Sequence, residues 1–543
     1  MNANGRWHAL LRVAVLNAAI AVAPVDSTWV DHDGRPIAPP RAGEPNFYGH
    51  QFREVVVEPL SHAFDIPDKF LLGAQALGAR TKREAVNANA FDEVPNSEWF
   101  TNRNPFRPVP VEQLRQGPDS TVMPAKPWTI KHPKHGGASA GFTVQDATGK
   151  TWLIKLDWKG YPGLSSGADM VARTLLHASG YNVPHNETVR FTRADLRIDE
   201  KLQHGTKTER LTDAGLDSIL VKGALLPDGQ HIGIASLYLP GHPLGAPNMR
   251  KKRPDDPNEW YSHANRRELR GLYVIASWLG NWDTKDANFM DMYVAQSKGS
   301  KDGYVRHYIL DAGSSFGADA DGEKRRPDGY ESVLDYGWIA RRFLTLGFVV
   351  EPWRRAHQDT GIPSVGRFES DVFDPGDFTP GEPQVTFRSM TDRDAYWGAK
   401  IVASFSNAQI EAAVDAAHYD DPRAKDFIVK NLVQRRDKIA RYWFHKVAPV
   451  DFFVVSDGCL RFHDLSVDLG LANPRSYDVE VIPRGGWSHE HIRIDQPCLD
   501  LPDAPAQTTA TIVISVRGQS AEPARVDLAR RGGAWVVTGI RHA

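Results

Sequence analysis

Cysteine is nearly absent. Only Cys459 and Cys498 occur in 543 residues, which excludes a disulfide-built scaffold and any cysteine-rich zinc or iron–sulfur centre. One disulfide stays open to the chain if it is exported. Beyond residue 23 there is no apolar run long enough to cross a bilayer, so no membrane span is expected. Neither sign of charge dominates: 65 Lys and Arg face 67 Asp and Glu, which excludes the basic footprint of a nucleic-acid partner. What is present is ordinary for a water-exposed globular protein, 41% hydrophobic and 24% charged. At 543 residues the chain is too long for one compact core, and two or three domains are expected.

The organisation follows from shifts of texture. Arg6 and Arg12 precede an apolar run over 13–23 ending in Ala21-Val22-Ala23, so 1–25 reads as a leader, against Asn17 inside the run and Pro24 after it. An exported or periplasmic location is therefore favoured over the cytoplasm. Residues 26–128 are rich in Pro and Asn and read as an N-terminal extension, with a strand over 55–57 and a helix over 67–78. From 129 to 245 a β-hairpin (142–145 and 152–156, turning at Asp146-Ala147-Thr148-Gly149) leads to a helix capped by Ser165 and Ser166 and stopped at Gly180. A strand over 232–239 follows.

Residues 246–446 open with a helix over 266–279. Its buried side carries Leu269, Leu272, Tyr273, Ile275 and Ala276, and it stops at Gly280. Paired strands over 289–294 and 304–310 come next, then a mainly helical stretch to 445 that includes a capping box at Ser406-Asn407-Ala408-Gln409. After Pro449 short alternating strands signal a separate β domain, with Ile512, Ile514 and Val516 on one face and a hairpin turn at Arg531-Gly532-Gly533-Ala534.

The chemistry gathers at "GNWDTKDANF". Moving a phosphoryl group needs a metal to neutralise oxygens, a cation on the moving group and a carboxylate to orient the attacking hydroxyl. Asp283, Lys285 and Asn288 supply all three types within one loop. Downstream, Asp311-Ala312-Gly313 ends a strand and offers a second oxygen ligand for a hard cation. Upstream, Gly136-Gly137-Ala138-Ser139-Ala140-Gly141 is a glycine-rich turn before the strand that carries Lys155.

In this order the motifs resemble those of the protein kinase superfamily, with Asp283, Lys285 and Asn288 matching D-x-K-x-x-N and Asp311-Ala312-Gly313 matching D-F-G with Ala for Phe. Asn281-Trp282 replaces the usual His-Arg, and the helix glutamate that clamps the lysine has only Asp169 as a counterpart, one methylene shorter and also placed to cap a helix beside Ser166. These departures resemble the atypical kinases: HipA-type toxin kinases, phosphoinositide lipid kinases, and spore-coat and Golgi secretory kinases. The segments Asp92-Glu93-Val94-Pro95 and Arg266-Arg267-Glu268-Leu269-Arg270 resemble a bacterial branch and bring no function with them.

The resemblance implies an α+β, two-lobed kinase-like fold: an N-lobe over 129–245, a helical C-lobe over 246–446 and a C-terminal sandwich-like β domain over 450–543. It implies an ATP- and Mg2+- (or Mn2+-) dependent phosphotransferase acting on an unknown hydroxyl acceptor. Asp283 would orient the acceptor and Lys285 would stabilise the moving group. Lys155, Gly136, Gly137, Gly141 and Asp169 would hold the nucleotide, and Asn288 and Asp311 the metal. Two further classes stay open: a nucleotide- or ligand-binding pseudokinase engaging a protein or glycan through its β domain, and adenylyl transfer on the same fold.

Blander readings stand beside these. Asp286 reads as a solvated loop acid, and Trp443 and Phe444 as core. His489-Glu490-His491 puts two imidazoles on one strand face with no third ligand in view.

Overall fold

A computed structural model of the chain describes residues 29–40, 82–118, 122–134, 137–203, 210–332, 342–345, 348, 353, 360–382, 384–484 and 488–542. The leader and the elements expected over 55–57 and 67–78 lie outside the described residues.

The first layer is a six-stranded sheet in the order β4-β6-β3-β2-β1-β5. Its strands are β1 (Trp128–Pro133), β2 (Gly141–Gln145), β3 (Thr151–Leu156), β4 (Asn186–Phe191), β5 (Leu196–Ile198) and β6 (His231–Leu237). The β2–β3 hairpin forms as expected because Asp146 accepts from the Thr148 and Lys150 amides, closing an Asx turn. Period-two alternation sends Trp152 and Ile154 into the sheet's core with Phe142 and Phe191, and turns Lys155 to the opposite face.

Helix α1 (Leu164–Ser179) packs behind this sheet. Its expected serine caps are corrected: the N-cap is Gly163, in the left-handed region. Asp157, at the end of β3, accepts from the Gly163 and Ser166 amides and from the Ser166 hydroxyl, so a distant carboxylate caps the first turn.

Helix α2 (Arg267–Leu279) shows no single buried face; all of its residues are buried. Its charges are met by the segment that carries Asn87 and Asp92 and by Asp394. Arg267 pairs with Asp92 at 2.5 Å and Asp394 at 3.2 Å, Arg270 pairs with Asp394 at 3.0 Å, and Asn87 donates to Glu268 at 2.6 Å. Residues 92–95 and 266–270 thus meet as one buried ionic network, where removal of any member would strand a charge.

Helix α3 (Asp392–Ala403) crosses α2, and α4 (Asn407–Asp415) and α5 (Pro422–Lys446) complete the helical layer. The Ser406 capping box forms, and Trp443 and Phe444 are core. Helix is not the rule throughout: the described stretches 312–332 and 360–382 run as turns around a two-strand ribbon, β10 (Ala318–Asp319) and β11 (Gly322–Glu323). Strands β7 (His242–Gly245), β8 (Phe289–Ala295) and β9 (Gly303–Ile309) form a three-stranded sheet beside α2.

After Pro449 two sheets share one apolar core. One has β12 (Val450–Ser456), β13 (Cys459–Asp464) and β16 (Cys498–Asp500), cross-linked by a Cys459–Cys498 disulfide. The other runs β15-β14-β17-β18-β19, built from Glu490–Ile494, Tyr477–Arg484, Thr509–Val516, Ala524–Arg531 and Ala534–His542. Gly532 and Gly533, both at positive φ, make the tight β18–β19 turn that two-residue hairpins require.

Candidate active site

Four separate segments are linked around Asp311. Lys155 extends from β3, and its Nζ donates to Asp311 Oδ2 at 2.7 Å, across 156 residues of sequence. Asp311 is fixed in turn by the Gly313 amide, which donates to its Oδ1 at 3.0 Å. Its side chain is 41% exposed.

Gly141 stands opposite Lys155 in the β2–β3 ladder, and a Cβ there would lie 2.1 Å from the Ile154 carbonyl oxygen, so only glycine lets the two strands close at this point. Gly137 adopts φ +71 in the turn before it. Gly136 lies outside the described residues.

Asp169 is not a helix cap. Its Oδ2 accepts from Asn186 Nδ2 at 2.5 Å, and its Oδ1 accepts from the Ala312 amide at 3.2 Å, which ties α1 to the loop that carries Asp311. Burial raises its pKa, with the Lys155 ammonium opposing and the Asp311 carboxylate reinforcing that rise. Lys155 itself pairs with Asp311, while Asp169 acts on it through space.

Desolvation is the largest influence on Asp311 and would raise its pKa, yet the Lys155 charge and hydrogen bond, the Gly313 amide and the Lys134 charge together outweigh it and draw the group down to about 2. Lys155 is shifted upward: desolvation works against its charge, and the Asp311 and Asp169 carboxylates prevail.

The loop that carries Asp283 begins where α2 stops at Gly280, in the left-handed region at φ 63. Asn288 Nδ2 donates to the Asp283 carbonyl at 2.6 Å, holding the loop in a tight arc. Lys285 Nζ lies 3.3 Å from Asp283 Oδ2. The Leu310 amide donates to the Asn288 carbonyl at 2.8 Å, so this loop and the Asp311 loop are joined through their backbones.

Asp286 is not a solvated acid. It accepts from the Met249 amide at 3.3 Å and from Gln384 Nε2 at 3.2 Å, and burial raises its pKa. Its role is to anchor the loop.

Asp283, Asn288 and Asp311 line one small cavity with Asn281 and Thr284. On these two residues, Asn281 Oδ1 and Thr284 Oγ1 are buried oxygens with no hydrogen-bond partner among the described residues. Oxygen acceptors beside a carboxylate and an amide are of the type a hard divalent cation takes, directly or through its water shell, while Leu176, Leu272, Ala276, Leu279, Phe289 and Ile309 make the rest of the lining apolar.

Two residues escaped sequence reasoning. Lys134 donates its Nζ to the Ser139 carbonyl at 2.9 Å inside the glycine-rich turn. Desolvation first, and the nearby Lys155 charge second, push its pKa down to about 8, against the pull of Asp311. Asp319, on β10, is pushed up to about 6 by burial and by neighbouring carboxylates that include Asp283. Neither belongs to a recognisable motif; only the folded chain brings Lys134 near Lys155 and Asp311, and Asp319 near Asp283.

No protein-family profile and no curated protein matches the chain. Among solved structures, a Golgi casein kinase is similar over 62% of this chain and 76% of its own, at 12% identity and a TM-score of 0.32. The Golgi casein kinase with Mn and ADP bound gives 61%, 73%, 12% and 0.31 in the same terms. Overlaps this loose leave the geometry of the cleft to carry any functional reading.

Proposed function

We propose that the chain is an atypical kinase, a two-lobed ATP- and Mg2+- (or Mn2+-) dependent phosphotransferase acting on a hydroxyl acceptor. One observation carries this reading: Asp311 shares the lining of one cavity with Asp283 and Asn288, Lys155 donates to that same Asp311, and Asp169 accepts from the adjoining Ala312 amide, so four segments are linked around Asp311. Lys155 and Lys134 supply cations for a polyphosphate beneath the glycine-rich turn, and Asp283 is the carboxylate placed to orient an incoming hydroxyl while Lys285 lies beside it. Asn288 and Asp311 would hold the divalent ion, which neutralises charge on the phosphate oxygens. The disulfide supports an exported location.

The test combines binding and turnover. ATP with Mg2+ at a hundredfold its dissociation constant stabilises a protein by about 2.7 kcal/mol, which a thermal melt detects. The unmodified chain should show that shift and Asp311→Ala should lose it. Deleting one charge clamp costs on the order of 3 kcal/mol in the transition state, so Asp283→Ala should lower phosphoryl transfer about a hundredfold or more. Mass spectrometry of the modified acceptor separates phosphoryl from adenylyl addition. Normal turnover in both variants would end the assignment.

A further inference from the structure

The C-terminal five-stranded sheet has an inner face, packed on the apolar core, and an outer face that meets water. Val479 and Val481 on β14 point inward, so Glu480 between them points outward. In the antiparallel β14–β15 ladder Glu480 stands opposite His491. His489, two residues before His491, shares that outer face, and the two rings lie 5.3 Å apart between centroids.

The third group missing from the linear sequence is therefore supplied by the neighbouring strand. His489 Nε2 is 3.0 Å from Glu480 Oε1, and one ligating atom from each of the three residues lies within 4.8 Å of the others.

We propose that Glu480, His489 and His491 form a binding site for a borderline divalent metal of the Zn2+ type, separate from the phosphotransfer cleft. Two imidazoles and one carboxylate are the ligand set that such ions prefer over Mg2+ or Ca2+, which take oxygen shells. Metal–ligand bonds of about 2.1 Å put neighbouring donor atoms roughly 3.4 Å apart in a tetrahedron. The His489–Glu480 spacing already meets that limit, and the exposed side chain of His489 has the freedom to close the remaining gap.

Three protein ligands leave a fourth position facing water, the pattern of sites that bind a water or an exchangeable ligand rather than closed structural sites. Binding would also clip β15, the outer strand of its sheet, to β14.

The experiment uses the full chain, stripped with a chelator and titrated with ZnCl2 by calorimetry, alongside His491→Ala and Glu480→Gln. All three positions lie on the outer face, away from the core, and matched melting curves without metal verify that the variants fold. The expected result is one saturable equivalent in the unmodified protein, with affinity reduced at least about tenfold in His491→Ala and measurably in Glu480→Gln. A second readout is Co2+ substitution, whose visible absorption should appear in the unmodified chain and vanish in His489→Ala/His491→Ala. Equal Zn2+ affinity in the unmodified chain and His491→Ala, or no saturable binding, would overturn the proposal and reduce the cluster to a surface hydrogen bond.

Discussion

If the proposed nucleotide role holds, the single ammonium of Lys134 makes affinity depend on pH. It sits under the glycine-rich turn, near enough to Lys155 that two positive charges share one desolvated corner, and its pKa falls to about 8. Below that pH the free protein offers two cations to a polyphosphate, and above it only Lys155. Affinity for ATP should therefore fall as pH rises through about 8, by about tenfold to a hundredfold, since a charge-assisted hydrogen bond contributes roughly 1.5–3 kcal/mol. Near pH 8 calorimetry in buffers of different ionisation enthalpy should show proton uptake on binding, and Lys134→Met should remove both the pH step and the uptake. An unchanged pH profile in the variant would remove Lys134 from the site. In sequence Lys134 belongs to a run, Lys131-His132-Pro133-Lys134-His135, that looks like solvated surface charge. Asp169 was misleading for a related reason: its neighbour Ser166 suggested a local cap, whereas its partners are 17 and 143 residues away. Residue types and motif order were legible. Partnerships formed only in three dimensions were not.

At the scale of elements, legibility tracks how local the cause is. The β2–β3 hairpin follows from an Asx turn and alternation, and the end of α2 follows from Gly280, so both are read directly from neighbouring residues. The burial of every side of α2 has no local cause; it depends on α3 crossing close enough to cover a face rich in charge. That crossing is set by two glycines. A Cβ on Gly398 would lie 2.7 Å from the Gly271 carbonyl oxygen, and one on Gly271 would lie 2.6 Å from the Trp397 ring. Two effects oppose each other in Gly398→Ala. Helix propensity gains about 1 kcal/mol, while overpacking against backbone costs about 1–3 kcal/mol, because a carbonyl in a helix cannot step aside as a side chain can. The clash should win, lowering the urea midpoint of the variant. Because α2 ends in the loop that carries Asp283, the same variant should lose turnover as well. A raised midpoint would mean that the helices part at no cost.

The largest scale is the tie between the helical body and the C-terminal sheets, made near the end of the described chain. His542, on β19, donates Nδ1 to Asp92 at 2.9 Å and Nε2 to the Val450 carbonyl at 3.0 Å, with Asp451 3.9 Å from the same nitrogen. A backbone carbonyl can only accept, and Asp92 is held ionised by Arg267 and Arg393, so both ring nitrogens act as donors and the ring carries charge. Burial opposes that charge, as does Lys400, while Asp451 and Asp92 favour it and prevail, so the His542 pKa is raised. Tyr396 packs its ring 4.5 Å from the imidazole and completes the enclosure. A histidine whose folded pKa is raised contributes its stability in full below its unfolded value, about 6.5, and loses it as pH climbs through the folded value. The contribution of His542 should therefore fade as pH climbs from about 6.5 through its raised folded value, and His542→Gln should remove that part of the unmodified chain's pH dependence. The gap between the two should be on the order of 2 kcal/mol at pH 6, the scale of a charged hydrogen bond, and should narrow as pH rises. Chemical denaturation at a series of pH values measures it directly. A gap that stays constant with pH would show that His542 holds the two parts together as a neutral ring, through shape and packing alone.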